Sequence, residues 1–122
     1  MKFYYEGHLV RTSKSHHYTH ALINVETVTA ITCSAKGASA CESYKQSYLN
    51  NIMQSITDEK TIIEAVKEGR KGVFLGHKPV YYKLGELYTT DINKLNGFIE
   101  ENRKRFDFVS ENWKVVPLTE ID

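Results

Sequence analysis

Two cysteines, two prolines, one tryptophan and four arginines are spread over 122 residues, and no long apolar run occurs. Each shortage removes a class of protein. Cys33 and Cys41 make neither a disulfide framework nor a metal-ligand spacing, which fits a reducing compartment. No stretch approaches the roughly 20 apolar residues of a membrane-spanning helix. The opening Met1-Lys2-Phe3-Tyr4-Tyr5-Glu6 lacks the apolar run of a signal peptide, so the expected location is cytoplasm. A formal charge of +1 argues against a chain whose main task is coating nucleic acid, while leaving room for a local basic patch. With 41% hydrophobic and 25% charged residues the balance is that of a globular fold, and the length suits one domain, 1–122.

The stretch Ser39 to Gly69 organises what is there. Ser39-Ala40-Cys41-Glu42 has the form of a capping box. Cys41, Tyr44, Tyr48, Ile52, Ile56, Ile63 and Val66 then recur mostly at three- and four-residue steps, the spacing of one helical face. Gly69 stands where a left-handed residue would end the helix. Such a helix would be roughly 45 Å long, against a radius of gyration of about 14 Å for a compact chain of this size. It should therefore kink or find a partner, and a homodimer or higher homo-oligomer is expected. Thr57-Asp58-Glu59 is the weak point at which a kink would fall.

Around it the chain reads as α+β: a small antiparallel sheet, one long helix, a β-hairpin and a second helix. Lys2 to Val10 alternates about a Glu6-Gly7 turn. A polar run, Arg11 to His17, leads into an expected strand over Tyr18 to Val25, with Tyr18, His20 and Leu22 on one face. Val28 to Cys33 is β-branched enough to pair with it. Val73 to Leu75 and Val80 to Leu84 should form a hairpin around Gly76-His77-Lys78-Pro79. Thr90 is the expected cap of a second helix whose apolar positions are Ile92, Leu95, Ile99, Phe106 and Val109. Asn112 to Leu118 should finish extended.

Chemistry is sparse. His16, His17 and His20 lack the nearby Cys, Asp or Glu that would complete a metal site, so surface or ligand-contacting roles are expected and no metal is required. Ser13 and Ser15 have no orienting acid or oxyanion hole, so no catalytic residue and no cofactor are expected. Gly72 to Lys78 echoes a phosphate loop only faintly, since Pro79 replaces the hydroxyl residue that should follow the lysine. Arg103-Lys104-Arg105, close in sequence to Phe106, Phe108 and Trp113, could join charge to a ring in a nucleotide-sized patch. A solvated basic face near a helix C-terminus is the plainer account. Of Tyr81 and Tyr82, one should pack inward while the other stays free to stack.

The opening Phe3-Tyr4-Tyr5-Glu6-Gly7-His8-Leu9-Val10-Arg11-Thr12-Ser13-Lys14 with Tyr18-Thr19-His20-Ala21-Leu22-Ile23, and the closing Asn112-Trp113-Lys114-Val115-Val116-Pro117-Leu118, resemble a family of small phage and prophage proteins. The family is the first type of phage Thoeris anti-defence protein. The resemblance implies a sponge, without enzymatic activity, for a cyclic ADP-ribose isomer such as glycocyclic ADP-ribose. A bacterial TIR-domain protein makes that signal in the host cytoplasm. It implies ligand pockets at subunit contacts, and the family can hold cyclic oligonucleotides at a second site. DNA and membrane are not expected partners. The long helix carries no arginine between Ser39 and Glu68, where phosphate-facing arginines would be expected from the family.

A cyclic ADP-ribose needs cations for two phosphates and a ring for adenine, and guanidinium is the better phosphate partner because its fork bonds two oxygens. The candidate ligand-binding residues are therefore Arg11, Lys14, His16, Tyr18, His20, Tyr82, Arg103 and Arg105. Competing readings are a small phage nucleic-acid-binding or host-inhibitor protein using the basic end of the second helix, and a nucleotide-processing enzyme using His16 to His20.

Overall fold

The computed structural model describes residues 1–81, 84 and 91–121. The described residues are α+β, with small antiparallel sheets, hairpins and helices of 30 and 21 residues. The chain divides into two compact units, one of Met1–Leu49 with Asp107–Asp122 and one of Asn50–Phe106.

The first unit holds two three-stranded antiparallel sheets. One has the order β2-β1-β8, from β1 (Lys2–Tyr5), β2 (His8–Thr12) and β8 (Thr119–Ile121). The β1–β2 hairpin turns as its sequence suggests: Glu6 and Gly7 adopt φ of 47° and 79°, the left-handed pair of a two-residue hairpin loop. Arg11 and Thr12, expected in a polar connector, lie instead in β2, where Arg11 stands opposite Phe3. The other sheet has the order β4-β3-β7, from β3 (His20–Asn24), β4 (Thr29–Ser34) and β7 (Trp113–Pro117).

β3 is paired on both edges, and Ala21, Leu22 and Ile23 are all fully buried. The alternation expected over Tyr18 to Val25 fails there because the strand is covered on both faces. Ala21 and Ile23 meet Val116, Tyr5, Cys33 and Leu118. The strand begins at His20, not Tyr18. Pro117 falls on the edge strand β7, where a missing N–H is tolerated. The closing segment does more than extend: Leu118 N–H donates to Thr19 C=O at 2.9 Å, and β8 then pairs with β1.

Helix α1 (Ala38–Lys67) is continuous through Thr57, whose hydroxyl donates to Met53 C=O at 3.1 Å. It starts one residue before Ser39, so Ser39 sits in the first turn and the expected capping box does not form. Its other end follows expectation. Gly69 has φ +74°, Gly69 N–H donates to Val66 C=O and Arg70 N–H to Ala65 C=O, the paired bonds of a Schellman stop. Cys41, Ile52, Ile56 and Ile63 are buried as the periodicity predicts, joined by Leu49, Ile62 and Ala65. Tyr48 and Val66 are half-buried, and Tyr44 departs furthest at 47% exposed, because the seam passes through Lys45 and Tyr48.

The second unit adds the tight hairpin β5 (Phe74–Leu75) and β6 (Lys78–Pro79). Its loop is only Gly76-His77, so Lys78 and Pro79 belong to a strand and not to the turn. Gly72 is buried where a Cβ would lie 2.1 Å from the Cα of Tyr81. In helix α2 (Ile92–Asn112) Leu95, Ile99 and Val109 are buried. Asp91 caps it, accepting Asn93 N–H on Oδ1 at 2.9 Å. The expected cap Thr90 lies outside the described residues.

Glu59 occupies the α1 seam between Ile56 and Ile63. Its Oε2 is buried without a hydrogen-bond partner, and burial first, then the neighbouring Asp58 charge, push its carboxyl up. The folded chain thus holds this proton more tightly than the unfolded chain does. Its stability falls as pH rises through the raised carboxyl value and stays reduced above it. Glu59→Gln should raise stability at pH 7 by about 0.5–1 kcal/mol, and the gain should vanish near pH 4. Melting curves at the two pH values check this; an unchanged or lower midpoint at pH 7 overturns it.

Candidate functional site

Four of the eight candidate residues come from β2 and the connector behind it, and three of these form one cluster. Arg11, half-buried on β2, places its guanidinium carbon 6.0 Å from the centre of the Tyr18 ring. His16 lies parallel to the same ring, 5.7 Å away and within 7° of its plane. Phe3, fully buried, meets Tyr18 edge-on at 5.3 Å. The ring is thereby fixed from beneath, and a cation over an aromatic face is favourable in itself.

The connector owes its shape to Ser13. Its hydroxyl accepts His16 N–H at 2.9 Å and Ser15 N–H at 3.3 Å, a local side-chain turn. Ser13 also exchanges two bonds with Met1, donating its N–H to Met1 C=O and accepting the terminal ammonium. Lys14 is exposed at this turn. His20 does not join the stack, since its Nδ1 lies 2.9 Å from the Thr19 hydroxyl.

Two neighbours were not legible locally. Glu120 of β8 approaches His17 Nδ1 at 3.2 Å, across 103 residues of sequence. Cys33 of β4 sits against Arg11: burial pushes its thiol up, and the guanidinium beside it pulls partly back. Cys41 is likewise pushed up, by burial first and then by Cys33. Among the described residues no group of three or more His, Cys, Asp or Glu is placed to hold a metal ion.

The remaining candidates lie elsewhere. Arg103 lines a groove of the second unit with Lys60 and Lys67. Arg105 is exposed on α2, and Tyr82 lies outside the described residues. The nucleotide-sized patch considered around Arg103 to Trp113 loses one of its three rings. Trp113 begins β7 facing inward, 9% exposed, with its ring 4.7 Å from that of Tyr48. Tyr81 is 46% exposed and edge-on to Phe74.

Among the described residues no helix is long and apolar enough to cross a membrane. No protein-family model matches the chain, and neither a curated protein nor a solved structure matches it.

Proposed function

We propose that the protein binds and sequesters a cyclic ADP-ribose isomer, glycocyclic ADP-ribose or a close relative, without altering it. In this reading it is a phage or prophage anti-defence protein that acts in the host cytoplasm and blocks Thoeris immunity as a homo-oligomer. The observation that supports it is the Arg11–Tyr18–His16 stack: a half-buried guanidinium over a fixed ring, beside a second, exposed ring. That combination suits a pyrophosphate next to a flat base. Further support is that the cluster grows from the Phe3–Lys14 segment that carries the family resemblance.

The nucleic-acid or host-inhibitor alternative rests on Arg103, Lys104 and Arg105, all exposed. With Trp113 turned inward, that patch keeps only partly exposed phenylalanines, so it is the weaker reading.

Incubation separates a sponge from an enzyme. Glycocyclic ADP-ribose mixed with the protein and released by heating should return intact and in stoichiometric yield, while a processing enzyme would return a product. At a hundredfold excess over its dissociation constant the ligand should add about 2.7 kcal/mol of stability. Recovery of an altered nucleotide, or no thermal shift, sinks the reading.

A further inference from the structure

The second unit holds a groove of about 350 Å³ with no part in the cluster described above. Lys60, Glu64 and Lys67 recur at i, i+4 and i+7 along α1, so they share one face. Glu100 and Arg103 stand three apart on α2, and all five side chains line the same groove. Its apolar floor is Ile63 and Ile99, 8% and 7% exposed. Among the described residues none of Lys60, Lys67 and Arg103 forms an ion pair, although two carboxylates line the groove with them.

We propose that this groove binds a phosphorylated sugar. The lining sets three cations against two carboxylates, a net charge of +1, and a phosphate placed among the cations takes charge-assisted hydrogen bonds from them. A bare polyanion would be repelled by Glu64 and Glu100. Sugar hydroxyls are donors that those carboxylates can accept, and the carbon face of a sugar ring suits the isoleucine floor. The volume lies in the range of small-ligand sites, roughly 300–1,000 Å³. A larger groove in the first unit, about 610 Å³, is lined by two lysines and no arginine, and one of them, Lys45, already donates to Ser110 C=O at 3.1 Å.

The test is titration calorimetry of the whole protein with ribose 5-phosphate, inorganic phosphate and ribose, at physiological salt. Ribose 5-phosphate should saturate at one per chain and bind at least about tenfold more tightly than inorganic phosphate, a difference that reports the hydroxyl contacts. Arg103→Ala and Lys60→Ala, both at exposed positions, should each weaken it by about tenfold or more with the melting temperature unchanged. Arg103→Lys should give an intermediate loss, since the charge stays and the fork goes. Glu64→Gln with Glu100→Gln should tighten inorganic phosphate, since two repelling charges are gone, and should narrow or abolish the advantage of ribose 5-phosphate over it, while Arg11→Ala should change neither. Failure to saturate, equal binding of phosphate and ribose 5-phosphate, or an Arg103→Ala variant as tight as the parent overturns the proposal. Loss in Arg11→Ala alone would move the ligand to the Arg11 cluster, sinking this inference and leaving the proposed function standing.

Discussion

On the function proposed above, Arg11→Ala should weaken binding of glycocyclic ADP-ribose by about 2–5 kcal/mol, the cost of removing one partner from a desolvated charge pair. The position explains the size. Arg11 is half-buried on a strand, opposite Phe3, over the Tyr18 ring and beside Cys33, so its fork is held before any ligand arrives. Pre-organisation of this kind lets the full strength of a guanidinium–phosphate bond appear as affinity. Arg11→Lys should recover part of the loss, because charge returns without the two-oxygen geometry. Alanine at Arg11, Arg103 and Arg105 together tests the remaining guanidinium candidates. If that triple variant keeps its fold and binds as tightly as the parent, the phosphate site is not among them.

Leu22→Ala should cost about 2–5 kcal/mol of folding stability, by lost transfer energy and the cavity left behind. Leu22 is fully buried in β3, and that strand is hydrogen-bonded on both edges, so its surroundings have little freedom to collapse. Against a total of about 5–15 kcal/mol this is a large fraction, and the melting temperature should fall by roughly 10–25 °C. Leu9→Ala, at a residue 50% exposed on β2, is the matched control and should stay within about 0.5 kcal/mol. Urea unfolding of both variants decides it. Equal losses would mean that β3 is not the centre of the first unit's core.

Local chemistry made much of the fold legible. Glu6-Gly7 announces a two-residue hairpin loop because few residues accept positive φ, and Gly69 announces a helix stop for the same reason. The helical periodicity of Cys41, Ile52, Ile56 and Ile63, at steps of eleven, four and seven, gave the long helix its buried face. Pairing between distant strands was not legible, since periodicity says which face is apolar and not which strand lies alongside. For that reason β8 beside β1, and with it Glu120 beside His17, is absent from any sequence reading. The same limit hid Cys33 from Arg11 and left Trp113 among the rings that could join the basic patch. Tyr18 to His20 misled in another way: alternation suggested a strand, but Ser13 captures the backbone of Ser15 and His16, and the ladder starts only at His20.

Gly72 carries a consequence for how this sequence can drift over evolutionary time. A methyl group there would land 2.1 Å from the Cα of Tyr81, and a backbone atom cannot swing aside as a flexible side-chain tip can. Selection at position 72 should thus be close to absolute, while Lys71 beside it is exposed and open to change. Among descendants of this chain that keep the hairpin, substitutions should accumulate freely at 71 and leave a single invariant glycine at 72. Loss of that glycine should coincide with loss of the hairpin itself.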